Sequence, residues 1–259
     1  MSIAMDGVIP TKIAIVTGGS RGIGRSTVES FARRGVHAIF TYHTHGTDAE
    51  AVVAAAKDAG AEAIALQLDA GNIASFGAFV ESVKDALAKL GTTRFDSLVN
   101  NAGNSHRNMP FETATEEELD SIYNVHFKGV FFLTQKLLPL IKDGGRIVNV
   151  STARTRIAGP GGSVYASMKG AVEVLSKHMA KEFGPRRIAV NVVAPGATET
   201  DFSGGIVRDN PAVNKRVAEG TALGRAGVPD DVGRMIASLI SEDNRWINAE
   251  RIEVTGGYV

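Results

Sequence analysis

The sequence predicts a single α/β domain over residues 1–259, a doubly wound parallel sheet of about seven strands with helices on both faces. Three observations carry this. Short runs rich in Val and Ile alternate with longer amphipathic stretches from end to end. The runs are almost continuously apolar, the pattern of strands buried on both faces rather than of strands with one wet side. No linker, repeat or low-complexity tract divides the chain.

The strands expected in order are "KIAIVTG" (12–18), "VHAIFTY" (36–42), "AEAIALQL" (61–68), "FDSLVNN" (95–101), "GRIVNVS" (145–151), "RIAVNVVAPG" (187–196) and "RIEVTGG" (251–257). Helices are expected at 22–34, 48–59, 72–90, 115–142, 163–183 and 229–241, with Gly35, Gly60, Gly91, Gly184 and Pro185 as stop signals. "TEEELD" reads as a helix start, Thr115 capping and Glu118 three residues later completing a capping box. Residues 197–228 have weak periodicity and follow the C-terminal end of a strand, where open α/β sheets bind ligands, so they read as a substrate lid, with a disordered loop as the competing reading.

Composition excludes several functions. Lys plus Arg and Asp plus Glu both total 28, so no basic field attracts nucleic acid. Cys is absent, which removes disulfides and thiolate chemistry and fits a reducing cytoplasm. "MSIAMDGVIPTK" lacks the basic region and apolar core of a secretory signal. The most apolar stretch, "GVFFLTQKLLPLI", is interrupted by Gln135 and Lys136 and falls short of the roughly 20 residues a membrane span needs. The expectation is a cytoplasmic protein with a small-molecule substrate and neither a nucleic-acid nor a membrane partner.

"VTGGSRGIGRS" follows the first strand and opens the first helix. Gly18, Gly22 and Gly24 there allow a tight turn and close backbone approach to a pyrophosphate, which the free N–H groups of the helix terminus favour. Ser20, Arg21 and Ile23 lie in the same turn. An NAD site usually carries an acid about 20 residues further on, but Tyr42, His43 and Thr44 stand there, and Asp48 reads as a helix-start residue. With no carboxylate to repel a 2′-phosphate and Arg21 able to pair with it, NADP(H) is favoured, NAD(H) not being excluded.

In "GGSVYASMKG", Tyr165 and Lys169 are four apart on one helix face. A free phenol has a pKa near 10; a neighbouring ammonium favours the phenolate, which would make Tyr165 a tunable acid/base beside a nicotinamide. Together, Thr17-Gly18-x-x-x-Gly22-x-Gly24, "NNAG" (Asn100 to Gly103), Tyr165-x-x-x-Lys169 and "PG" (Pro195, Gly196), in this order, resemble the short-chain dehydrogenase/reductase family over essentially the whole chain. The resemblance implies a Rossmann-type domain, a nicotinamide cofactor, hydride transfer between alcohol and carbonyl, and a homo-oligomer, tetramer or dimer. It also implies that Lys169 binds the nicotinamide ribose, that Asp69, Ala70, Asn101, Ala102 and Gly103 flank the adenosine, and that Pro195, Gly196, Thr198 and Thr200 lie near the nicotinamide.

Two positions depart from the family. Its active-site Ser, 13 residues before the Tyr, is here Thr152; Ser151 precedes it, but adjacent strand residues point to opposite faces, so Thr152 is the expected partner of the substrate oxygen. Its proton-relay Asn is matched by His126, an imidazole that ordinarily titrates near pH 6.5 and would add an acidic limb to the rate profile, the competing reading being a packed, non-catalytic His. His43, His45, His106 and His178 lack the spacing of a metal cage, so no metal is expected. Arg33, Arg34 and "GPRR" read as surface charges. Residues 104–113 and 197–228 are expected to line the substrate pocket. The alternative to an enzyme is a dinucleotide-binding sensor or partner subunit with little catalysis.

Overall fold

A computed structural model of the chain describes residues 12–104 and 109–258. The N-terminal stretch read for a signal, and residues 105–108 with His106, lie outside them. The strands are β1 (Ile13–Val16), β2 (His37–Tyr42), β3 (Ala63–Gln67), β4 (Phe95–Asn100), β5 (Ile141–Val150), β6 (Ala189–Pro195) and β7 (Arg251–Val254). They form one sheet in the order β3-β2-β1-β4-β5-β6-β7, every pairing parallel. The order reverses beside β1, where β4 leaves on the other side, and this switch point opens a crevice at the C-terminal strand ends.

Each of the five central strands, β2, β1, β4, β5 and β6, serves two cores because neighbouring side chains face opposite ways, whereas β7 alternates Arg251 and Glu253 with Ile252 and Val254 of a single cluster. Ile15, Ile39, Leu98, Ile147 and Val190 pack in one cluster with Val83 and Leu87 of helix α3 (Phe76–Lys89). Val16, Phe40, Val99, Val148 and Val193 pack in the other with Phe31 of α1 (Gly22–Ala32), Val52 of α2 (Gly46–Asp58) and Ile236 of a C-terminal helix (Pro229–Leu239). This double burial explains why the central strands show no polar alternation.

The expected single helix over 115–142 is corrected. It consists of α4 (Glu116–Tyr123), a π-helical turn at Asn124–Lys128 and α5 (Gly129–Leu137), then a 3-10 turn around Pro139; β5 already begins at Ile141, opposite Phe95. Proline at 139 lacks the N–H to continue the ladder, and Arg186 holds the turn by donating to the carbonyls of Leu138 and Ile141 and pairing with Asp143. Arg186 is therefore a structural tie rather than a surface charge. The capping box forms as expected, Glu118 N–H donating to the Thr115 hydroxyl.

The 197–228 segment is not a disordered loop. After α6 (Ser163–Glu182) and β6, it contains a 3-10 turn, α7 (Ile206–Asp209) and α8 (Pro211–Glu219), and Thr198 bridges to Gly227 at its base. Asn210 caps α8, accepting from the N–H groups of Ala212 and Val213 ahead of Pro211. The C-terminal helix at Pro229–Leu239 is then α9.

Candidate active site

The crevice is a cavity of about 890 Å3 that runs from the glycine turn to the lid segment. At one end, Gly18 and Gly22 adopt φ of 66° and 54°, where glycine alone is unstrained. A Cβ on Gly24 would lie 2.0 Å from the Gly18 carbonyl oxygen, so only a bare backbone lets α1 start this close to the turn. Thr17 and Asn101 lock the arrangement. The Thr17 hydroxyl accepts from the N–H groups of Asn101 and Ala102, and the Asn101 side chain donates to the carbonyls of Thr17 and Gly18. Asn100 instead ties β4 to its neighbours, donating to Thr134 and Asn149.

Gly18, Ser20, Arg21, Gly22, Ile23, Gly24, Tyr42, His43, Thr44, Asp69, Ala70, Asn101, Ala102 and Gly103 all line this end. Arg21 is not a lone solvated cation, for its guanidinium lies 3.3 Å from Asp201 and 3.8 Å from Asp48. Asp48, in the first turn of α2, is thus more than a helix-start residue: it stands opposite the cation expected to meet a 2′-phosphate.

At the other end, Thr152, Tyr165, Lys169, His126, Pro195, Gly196, Thr198 and Thr200 line the same cavity. β5 ends at Val150 and delivers Ser151 and Thr152 to opposite sides. The Ser151 hydroxyl donates to Glu173 at 2.6 Å, whereas the Thr152 hydroxyl accepts from the Arg154 N–H and interacts with the Tyr165 hydroxyl. This geometry favours Thr152 over Ser151 as the residue facing a substrate oxygen. Glu173, which also accepts from Thr155 and Arg251, and Arg251, which donates to the Thr152 carbonyl at 3.1 Å, hold the loop from below. These partners lie on α6 and β7, and nothing in their local sequence announces them.

The electrostatics correct two expectations. Lys169 is buried and its ammonium donates to the Val150 carbonyl at 2.6 Å, 5.9 Å from the centre of the Tyr165 ring. Its charge does not set the direction of the Tyr165 shift. The phenol lies deep in the cleft and burial pushes it up to about 12, against the Thr152 side chain and the Arg154 charge, which act in the lowering direction. Burial pulls Lys169 down to about 8. At neutral pH the pair is therefore a protonated phenol above an ammonium that keeps its proton.

His126 sits in the π turn, fully buried, its ring edge-on to Tyr165 with centroids 5.1 Å apart. Nε2 meets the Asn104 carbonyl at 2.7 Å, so Nε2 carries the proton and Nδ1 remains a buried acceptor with no partner among the described residues. Burial, with the Lys169 charge, lowers its pKa to about 3. This direction, away from pH 6.5, argues against the expected acidic limb. The π turn, common where helices carry function, was not legible in the apolar pattern. Arg154 was also missed, while Phe202, whose ring lies 5.7 Å from that of Tyr165, comes from the 197–228 segment expected to line the pocket. Among the described residues no three His, Asp or Glu side chains are grouped to hold a metal, and no helix is long and apolar enough to cross a membrane.

A parallel sheet with a glycine-turn crevice and a Tyr-Lys pair at its far end defines the nucleotide-dependent oxidoreductase class, and similarity agrees. A family model described as enoyl-(acyl carrier protein) reductase matches residues 18–259. An uncharacterized oxidoreductase of Methylorubrum extorquens is 37% identical over 248 residues, 95% of this chain and 97% of the relative. A hydroxynaphthalene reductase-like protein of Metarhizium brunneum is 32% identical over 96% of this chain and 95% of its own length. The angucycline C-6 ketoreductase LanV with bound NADP superposes with a TM-score of 0.90 at 35% identity, covering 95% of each chain. The chain belongs to the short-chain dehydrogenase/reductase family and is an oxidoreductase.

Proposed function

We propose that the protein is an NADP(H)-dependent ketoreductase that interconverts a carbonyl and an alcohol. The observation that carries this reading is the meeting of Thr152, Tyr165 and Lys169 at one end of a cavity whose other end is a glycine turn too tight for any side chain at Gly24. The residues fit a dinucleotide. The open N–H groups at the start of α1 suit a pyrophosphate, Tyr42, His43 and Thr44 put no acid where the ribose of NAD is usually bound, and Arg21 offers a 2′-phosphate a cation. The NADP in LanV supports the same choice.

A nicotinamide cofactor held there would supply the hydride for the carbonyl carbon. Thr152 donates its hydroxyl proton in a hydrogen bond to the carbonyl oxygen and orients it. Tyr165, protonated at neutral pH, gives its proton to that oxygen as the alcohol forms. Lys169, anchored on the Val150 carbonyl, stabilises the phenolate left behind and holds the ribose. His126 stays neutral and presents Nδ1 as an acceptor beside this pair, a place for an ordered water that returns the proton.

The test is NADPH and NADH oxidation with a panel of ketones, quinones, β-keto esters and one enoyl thioester, with product analysis. The expected result is alcohol from a ketone with NADPH preferred. Equal use of both cofactors contradicts the NADP assignment. Reduction of the carbon–carbon double bond alone contradicts the carbonyl assignment. Cofactor binding measured by fluorescence without turnover of any substrate selects the sensor.

A further inference from the structure

The substrate half of the cavity carries cations that no acid offsets. Arg154 follows Thr152 by two residues, and its guanidinium rests on bare backbone just ahead of α6. A Cβ on Gly162 would lie 3.2 Å from one of its terminal nitrogens and 3.3 Å from its central carbon, and one on Gly159 would lie 3.9 Å from the other nitrogen. Gly162 thus leaves room for the planar group one turn before Tyr165, and its charge reaches the Tyr165 hydroxyl. Arg216 of α8 lines the same cavity.

Arg156, Arg208, Arg225 and Arg251 each meet a carboxylate, while Arg34, Arg94, Arg187 and Arg245, which form no such pair among the described residues, lie outside the cavity lining. Among the described residues no such ion pair forms at Arg154 or Arg216. The acids that line the cavity do not compensate. Asp69 lies at the adenosine end and accepts from the Gly71 N–H, while Asp201 is shared by Arg21 and Arg208. Met109, Ile157, Phe202, Val213 and Val217 supply apolar lining to the cavity.

An apolar slot lined also by two exposed, unpaired guanidinium groups is complementary to a molecule with a hydrophobic body and an anionic end. The planar fork of Arg matches a carboxylate with two parallel hydrogen bonds, and such charge-assisted pairs are strong and directional. We propose that the substrate is a ketone that bears a carboxylate, and that Arg154 and Arg216 read the carboxylate while Thr152 and Tyr165 hold the carbonyl. This rests on the ketoreductase reading of the same site. The arginines are specificity residues, and neither takes part in the bond changes.

The experiment uses a matched pair, 4-oxo-4-phenylbutanoate and its methyl ester, which differ in charge far from the carbonyl. Dissociation constants in the presence of NADP and kcat/KM with NADPH are measured for the full chain and for Arg154→Gln, Arg154→Lys and Arg216→Gln. The wild type is expected to favour the acid over the ester by about tenfold or more, the scale of one hydrogen bond to a charged group. Arg154→Gln is expected to lower that ratio about tenfold and Arg154→Lys to restore part of it, with Arg216→Gln acting in the same direction. Because the readout is a ratio, any effect of Arg154 on Tyr165 cancels. A wild-type ratio near one, or a ratio that neither glutamine variant moves, overturns the proposal. If no carbonyl compound is reduced at all, the ketoreductase reading falls, and the binding ratio still decides this one.

Discussion

At the glycine-turn end of the cavity the walls are strand ends and backbone, cross-tied by Thr17 and Asn101, and the cation there is already shared with Asp48 and Asp201. At the Tyr165 end the walls are the 153–162 loop and the short helices α7 and α8, and Arg154 and Arg216 have no such partners among the described residues. The first end is built to bind one shape, with the binding groups on the main chain where substitution hardly changes them. The second presents side chains on short elements that can vary without disturbing the sheet. The difference teaches why the cofactor class follows from the fold while the substrate must be read from individual residues.

The strongest way to break this contrast is to add one methyl group to each end. Gly24→Ala drives a Cβ into the Gly18 carbonyl, so it is expected to abolish measurable NADPH binding and to cost about 1–3 kcal/mol of stability. Gly159→Ala meets nothing closer than 3.9 Å and is expected to change stability by less than ~0.5 kcal/mol. Thermal melts and cofactor titrations check both; equal losses would erase the distinction.

A smaller effect is expected at Arg21. Arg21→Ala should weaken NADPH binding about tenfold while leaving NADH binding within about twofold, and Asp48→Asn, which releases Arg21 from one carboxylate, should strengthen NADPH binding by a lesser factor. Parallel changes for the two cofactors would place the 2′-phosphate elsewhere.

The smallest effects concern pH. Lys169 is charged below its pKa of about 8 and neutral above it, so kcat/KM for ketone reduction is expected to fall as pH rises through that value. His126, lowered to about 3, is neutral throughout, so wild type and His126→Asn should give profiles of the same shape from mildly acidic to neutral pH. An acidic limb present only in the wild type would restore a titrating His126.

Much of this was legible in the chain. Strands buried on both faces leave a continuous apolar signature, and the glycines of the turn are required by backbone geometry that no other residue satisfies. The switch from helix to strand near 138–141 was hidden because Leu137, Leu138, Leu140 and Ile141 suit either period, and Pro139 with Arg186 decides it through contacts 45 or more residues away. The pKa directions were illegible for a related reason. Spacing alone puts Lys169 beneath Tyr165, but the depth of the cleft and the Val150 carbonyl determine that burial outweighs the charge. The helices of the 197–228 segment are short, and α8 depends on the Asn210 cap more than on an apolar stripe.

The central claim is that the Tyr165 hydroxyl is the proton donor of the reaction. Its most direct test is the single-turnover rate of NADPH oxidation by Tyr165→Phe with a ketone the wild type reduces, alongside the dissociation constant for NADPH. The account predicts a rate lower by about 10²–10⁴-fold with cofactor affinity and melting temperature essentially retained. An unchanged rate in a folded, NADPH-bound Tyr165→Phe protein would contradict it.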